Sequence, residues 1–470
     1  MGIEESYKKF RNDTYRLNLK NQKQVSNQIL SYEEGLEVIK KDEELRNLLN
    51  EEIDLRAEKN SKSKTVIKNK EYLRNLKTLY QNKVIEVVTK KGIRVREYPD
   101  VSEFVNNVVE DMVGYSSISE LMNDDRVTDV YCIQWNKIYY ESSQFKTPQK
   151  FKGSFKNEKE YKNFIERLMR AAGKGVLDNG ENKVVDFDLY GDRYNAISKA
   201  VAPNDFVVTI RKHQEEHIKL NQIINGGCMT QEIADLIGTL ILGECNIIIA
   251  GITGSGKTTT MRALLDYYVT KANKRMLVCE DTRELFPEND HSLELVTSKG
   301  STEKTTVDLR DLVILALRQK PKYIVVGEVR GPEAESAVEA MATGHSTIFS
   351  MHAGKPIDAV NRLVTKYLMQ MPSLGVDVVE RIIGSALDYI IIQDDVPGTG
   401  RKITSITEVD YNYNTKRVAL KTVMKYNFHT KQFDMNEKLS SEKAEKMLRH
   451  GIKIEDLDKY VDWNDKDKSA

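Results

Sequence analysis

The sequence predicts an α/β protein: a mostly parallel sheet with helices on both faces, preceded by a small α+β domain and a helical extension. Three observations carry this. The second half of the chain alternates helical segments with short, continuously apolar runs, NIIIAG, RMLVCED, YIVVGE and TIFSMHA. Strands without polar alternation are buried on both faces, as in a parallel sheet between helix layers. The middle of the chain carries shorter strands that do alternate, and the first hundred or so residues carry apolar residues at helical spacing.

Taken in order, residues 1 to about 105 are rich in Lys, Glu, Asn and Leu, and stretches such as EEGLEVIKKDEELRNLLNEEIDL read as charged helices. SKSKTVIKNK reads as a break between them. The charge is mixed rather than basic, which favours solvated helices over a nucleic-acid arm. From 106 to 212, VTDVYCIQ, KIYYES, VVDFDL, RYNAISKA and FVVTIRKH are strand candidates, with the amphipathic helix KEYKNFIERLMRAAG among them. Residues 213–226 are polar and read as a linker, 227–430 as the parallel-sheet domain, and 431–470 as a charged, helical C-terminal tail.

Composition narrows the function classes. The 470 residues include 71 Lys+Arg and 71 Asp+Glu, a formal net charge of +0, so no global field recommends a nucleic-acid or membrane partner. Cys132, Cys228, Cys245 and Cys279 are scattered without CxxC spacing, which argues for buried thiols in a reduced, intracellular compartment. The start, MGIEESYKKF, has no apolar core of a signal peptide; Gly2 and Ser6 fit a lipidation pattern that the acidic pair Glu4-Glu5 does not support. The apolar stretch from Ile233 to Ile252 contains Glu244 and Asn246 and reads as helix, turn and strand rather than a membrane span. The expectation is a soluble, cytoplasmic protein.

Four motifs carry chemistry. GITGSGKTTT, Gly251 to Thr260, fits GxxxxGK[ST] through Gly251, Gly256, Lys257 and Thr258, between an apolar strand and a helix. Such a loop curls so that the amides of Thr253, Gly254, Ser255, Gly256, Lys257, Thr258 and Thr259 face phosphate oxygens, and the helix N-terminus adds positive dipole. Lys257 would reach the β- and γ-phosphates of ATP, and the Thr258 hydroxyl would ligate Mg²⁺. YIVVGEVRGPEA ends a strand in Glu328, placed to polarise water; Gly327 stands where many P-loop ATPases carry a magnesium-side Asp. MLVCEDTREL ends another strand in Glu280, Asp281, Arg283 and Glu284, and Asp281 or Glu328 could hold Mg²⁺ through water. TGHSTIFSMHAG sets His345 and His352 on either side of a strand; residue chemistry alone leaves structural and γ-phosphate-sensing roles equally open.

These motifs, in this order, resemble the secretion and traffic ATPase superfamily, whose members drive type II and type IV secretion, tight-adherence pili and the archaellum. In that family they are the Walker A loop, Asp box, Walker B box and His box. DLRDLVILALRQKPKYIVVGEVRG, MATGHSTIFSMHAGKPIDAVNRL and ALDYIIIQ with ITSITEV extend the likeness through the second domain. ISELMNDDRVTDVYCIQWNKIYYE, VVDFDLYGDRYNAI and VVTIRKH resemble the N-terminal domain of the tight-adherence, archaellum and type IV secretion branch, so the likeness runs from about 106 to 430.

The resemblance implies a RecA-like P-loop ATPase domain and a homo-hexameric ring with nucleotide at the cleft between two domains. It implies Glu328 as catalytic carboxylate, Glu280 and Asp281 as Asp-box residues, and His345 and His352 as sensors. Arg193 and Arg211 match positions of arginines that approach the phosphates. Ser350 stands where many relatives have Thr, Gly191-Asp192 reverses the usual order before Arg193, and the tetracysteine zinc element of many type II members is absent. The expected partner is an integral-membrane platform protein at the inner face of the cell membrane, with no nucleic acid as direct ligand. The alternatives are a type IV secretion or conjugation ATPase moving DNA or protein, an inactive ring scaffold and, more weakly, a replicative helicase.

Overall fold

The computed structural model of the chain describes residues 29–45, 47, 69–142, 144–145, 147–177, 180, 182–213, 217–298 and 305–463. The Gly2–Ser6 pattern and nearly all of SKSKTVIKNK lie outside them. The chain divides into two compact units, 1–215 and 216–470. All four cysteines are buried and free, and among the described residues no helix is long and apolar enough to cross a membrane.

In the first unit a short parallel pair, β1 (Ile29–Leu30) and β2 (Arg94–Val95), brackets helices α1 (Tyr32–Lys40) and α2 (Lys70–Lys91), followed by α3 (Val101–Met112). Ser31 and Glu34 form a capping box at the start of α1, and Gly92, at φ +62°, ends α2 where a side chain would be strained. Ile39, Tyr80, Val84, Phe104 and Val108 close these helices over a core of their own. Helix α3 therefore runs through position 105, where the sequence suggested a boundary.

Helix α4 (Ser119–Asn123) leads into β3 (Val127–Gln134), β4 (Lys137–Ser142) and β5 (Gln149–Lys150); α5 (Glu158–Ala171) precedes β6 (Val184–Leu189), β7 (Asp192–Ile197) and β8 (Val207–Arg211). The six strands form an antiparallel sheet in the order β5-β4-β3-β8-β7-β6. Phe164, Ile165, Leu168 and Met169 recur at helical spacing on α5 and share a core with the alternate, inward residues of the strands.

The second unit begins with α6 (Leu220–Asn225), whose Leu220 and Ile223 are buried, so part of the expected linker is core. Then follow α7 (Gln231–Leu242), β9 (Ile247–Ala250), α8 (Lys257–Lys271), β10 (Met276–Glu280), β11 (Ser292–Val296), α9 (Leu309–Leu317), β12 (Tyr323–Val326), α10 (Glu333–Ala342) and β13 (Ser346–Met351). Helices α11 (Pro356–Gln370) and α12 (Val376–Ala386) lead to β14 (Tyr389–Val396), β15 (Gly400–Asn412), β16 (Arg417–Asn427) and β17 (Gln432–Met435), and α13 (Ser441–Arg449) and α14 (Ile454–Leu457) close the unit.

One nine-stranded sheet results, ordered β11-β10-β12-β13-β9-β14-β15-β16-β17. From β11 to β14 every pairing is parallel; β14 to β17 are antiparallel. Along β9, Ile247 and Ile249 enter one core and Ile248 and Ala250 the other, so helices cover both faces. This is the α/β fold expected, enlarged at its antiparallel side. Much of the expected tail belongs to it: β17 extends the sheet, and α13 buries Ala444 and Met447. Lys443 and Lys446 of α13 reach Asp388 at 2.8 and 2.5 Å, an ion cluster that Asn246 joins by donating its N–H to Asp388 Oδ2.

Candidate nucleotide site

Because β10, β12, β13, β9 and β14 are parallel neighbours, their carboxyl ends share one edge. Across that edge stand Glu280, Glu328, His352, the loop 251–256 and Gln393, each at or just beyond its own strand. Continuously apolar strands place the chain there; the first polar residues after them make the site.

The loop leaves β9 at Ala250 and returns into α8 through Gly254 at φ +78° and Gly256 at φ +91°, left-handed conformations that favour glycine. Gly251 has a different reason. A Cβ there would lie 2.0 Å from the carbonyl oxygen of Gln393 and 2.7 Å from Ser255 Oγ. Ser255 is buried and its hydroxyl donates to the Ile252 carbonyl at 2.8 Å, while Thr253 and Gly254 are exposed at the tip. Thr258 and Thr259 are half-buried on the first turn of α8.

Lys257 opens that helix with its side chain buried and curled back. Nζ donates to the carbonyls of Gly251 at 3.1 Å and Ile252 at 3.0 Å, and stands 3.4 Å from His352 Nδ1. Burial draws its amine below the ordinary lysine value, with the charge of Glu328 opposing. The other ring nitrogen, His352 Nε2, lies 2.7 Å from Glu328 Oε1. Oε1 is buried, and this ring nitrogen is its close polar neighbour. The second oxygen, Oε2, accepts from Arg330. Burial raises the Glu328 carboxyl, but Arg330, His352 and Lys257 outweigh it and hold the group below its usual range. Lys257, His352 and Glu328 thus form one continuous chain of contacts from the loop to the acid.

Glu280 is different in kind. It is 3% exposed and accepts the amides of Glu284 and Leu285 at 3.1 Å each, yet burial pushes its carboxyl up to about 8. Its side chain also explains Gly327: a Cβ there would meet Glu280 Cγ at 3.0 Å and Oε1 at 3.2 Å. The acid absent from position 327 has its space taken by one from the neighbouring strand. Ser350 Oγ donates to the Gly327 carbonyl at 2.6 Å, so the hydroxyl in the His box pins the turn that presents Glu328.

The remaining candidates are dispersed. Asp281 is exposed and lines a pocket of about 230 Å³ with Asp308, Arg310, Arg330 and Glu333. Arg283 is held by Glu294 through two 2.7 Å hydrogen bonds. His345 precedes β13 and so lies at the opposite, amino edge of the sheet, about 20 Å of strand away from His352. There its Nδ1 is 3.3 Å from Thr343 Oγ1. The strand that separates the two histidines in sequence separates them in space. Arg193 and Arg211 belong to the first unit, where they are exposed, directly paired residues of β7 and β8.

Two contributors escape a reading by motif. Arg330 lies within the quoted YIVVGEVRGPEA, but nothing local predicts that it folds back two residues onto Glu328. Gln393 is buried on β14 and donates from Nε2 to the Ser255 carbonyl at 2.8 Å, bracing the loop from the antiparallel side. Its signal is a polar residue ending the apolar run ALDYIIIQ.

A magnesium-bound triphosphate fits these residues. The loop amides and Lys257 suit phosphate, the Thr258 hydroxyl suits the metal, and the Glu328 carboxylate, held below its usual range, suits a metal-bound or attacking water.

The profile of the type II/IV secretion system protein family matches residues 193–451, more than half of the sequence. The chain belongs to this family. Among curated relatives of this type II/IV secretion system protein, an uncharacterized protein of Methanocaldococcus jannaschii is 29% identical over 65% of this chain and 56% of its own length. The conjugal transfer protein TrbB of Rhizobium radiobacter is 31% identical over 43% of this chain and 60% of its own length. The chain thus spans somewhat over half of either relative. Among solved structures, the VirB11 ATPase of the Brucella suis type IV secretion system aligns over 64% of this chain and 94% of that one, at 24% identity and a TM-score of 0.34.

Proposed function

We propose that this family member is an ATPase that binds Mg²⁺-ATP at the loop 251–256 and hydrolyses it by attack of water on the γ-phosphate. The observation that carries this reading is the Lys257–His352–Glu328 chain at the carboxyl edge, which joins a phosphate-binding loop to an acid held in its ionised form. Lys257 exchanges its two loop carbonyls for phosphate oxygens. Glu328, kept ionised by its cationic neighbours, orients water and accepts its proton at the carboxylate. His352 touches both and can report the γ-phosphate from one to the other; His345, at the far edge, is assigned no part in sensing. Glu280 shapes the acidic end beside Gly327. Magnesium, when bound through Thr258 and the carboxylates, supplies charge that offsets the developing negative charge on the phosphates.

The cycle drives a homo-hexamer working with an integral-membrane platform protein at the cytoplasmic face of a membrane, with Arg193 and Arg211 as mobile counter-charges. Pilus assembly or protein secretion is the preferred cargo. The likeness to a conjugal transfer protein keeps DNA or protein transfer by a type IV system as the second reading, and relaxase and coupling-protein genes beside this one would favour it. A steady-state phosphate-release assay on the full chain tests the chemistry. Lys257→Ala should abolish nucleotide binding or turnover, whereas Glu328→Gln should bind ATP and lose turnover by about 10²- to 10⁴-fold. Normal turnover by Glu328→Gln would remove Glu328 from the mechanism.

A further inference from the structure

We propose that Arg401 contacts the β-phosphate of the bound nucleotide, closing the loop from the side opposite Glu328. The proposal rests on the reading of 251–256 as a nucleotide loop and adds a ligand contact that no motif contains.

The first observation is position. Gly256 caps α8, and a Cβ built on it would stand 3.0 Å from Arg401 Cδ and 3.3 Å from its Nε. The arginine stem therefore lies along the loop at the residue just before Lys257. Amides of that turn cradle the α- and β-phosphates in a loop of this type.

The second is rigidity of the platform. Arg401 sits on β15 opposite Asp395 of β14, next to the braced Gln393. Lys402, which follows, is buried and donates to the Thr399 carbonyl at 2.9 Å, and the Ile403 amide donates to the Cys228 carbonyl at 2.8 Å. The backbone is held while the Arg401 side chain stays exposed.

The third is charge. Three other arginines near this edge are engaged by carboxylates, Arg330 by Glu328, Arg283 by Glu294 and Arg310 by Glu335, while Arg262 is buried on α8 and donates to the Glu284 carbonyl. Among the described residues no carboxylate oxygen lies within ion-pair distance of Arg401. A guanidinium beside a bend of backbone amides is suited to a phosphate, which it can grip through two parallel N–H donors. Lys257 serves the β- and γ-phosphates from within the loop; Arg401 adds a second cation on the hairpin side.

Because this contact is made to the β-phosphate, ADP keeps it. Titration calorimetry of the full chain with Mg²⁺ and ATP, ADP or AMP tests it, beside turnover. Arg401→Met should weaken ATP and ADP alike by about tenfold or more, leave AMP unaffected, raise KM and keep kcat within about twofold; Arg401→Lys, a point charge without the fork, should fall between. Melting without nucleotide should be unchanged. If the wild type binds both nucleotides and Arg401→Met binds them as tightly, or loses kcat with KM intact, the proposal is overturned while the ATPase reading stands. If the wild type binds no ATP, the ATPase reading falls and this falls with it. Should Arg401→Met fail to fold, Arg401→Lys decides by the same criteria.

Discussion

Glu280 stands at the carboxyl end of β10 with almost no exposed surface, and burial moves its carboxyl from 4.5 to about 8. In the unfolded chain the group releases its proton near the ordinary value; in the folded chain it keeps the proton until pH approaches 8. Between those limits the native state binds more protons than the unfolded state, so stability is full below the lower value and falls as pH rises through the window. The slope for one group is about 1.4 kcal/mol per pH unit, giving on the order of 4 kcal/mol between pH 5 and 8 as an upper bound. Glu280→Gln is neutral at every pH and keeps an oxygen for the amides of Glu284 and Leu285. It should therefore match the wild type near pH 5 and exceed it near pH 8. For a unit of this size the gap corresponds to about 10 °C in Tm. Parallel thermal melts of nucleotide-free wild type and variant from pH 5 to 9 measure it, and the difference between the two curves cancels the titrating groups that do not interact with position 280. Curves that stay parallel, or a variant less stable at pH 8, would refute the reasoning.

Gly251→Ala drives a methyl group against the Gln393 carbonyl, a backbone atom with little room to yield. It should cost about 2 kcal/mol or more in thermal or denaturant unfolding and weaken ATP binding. Asp388→Ala strips the partner from the buried Lys443 and from Lys446. That loss should cost about 3–5 kcal/mol, read in urea unfolding at pH 7; the two lysines hold Asp388 below the usual carboxylate range, so the wild-type advantage over the variant should fade as acid protonates the native aspartate.

Much of the second unit is legible in the sequence. Unbroken apolar runs name strands buried on two faces, and the turn that follows each run names the residues at the working edge. Glu280, Glu328 and His352 come from three such turns, and their meeting follows from parallel strand order. Periodicity alone misplaces the ends of the unit. Leu220–Asn225 is short and polar on its outer face, and β17 sits in a charged stretch, so neither shows the long apolar repeat that a core element usually displays. Their burial is owed to partners far away in the chain.

Within the site, local pattern determined the residue types: glycines where the loop bends left-handed, a lysine and hydroxyls at the head of α8, and acids after β10 and β12. Only the tertiary structure decided which of these meet. It sets His345 and His352 at opposite edges, because a strand between two residues is a spacer. It fills the space beside Gly327 with Glu280, folds Arg330 onto Glu328, and lays Gln393 and Arg401 against a loop more than a hundred residues earlier. Side-chain chemistry is written residue by residue, whereas proximity depends on strand order and packing, which no local stretch of sequence contains.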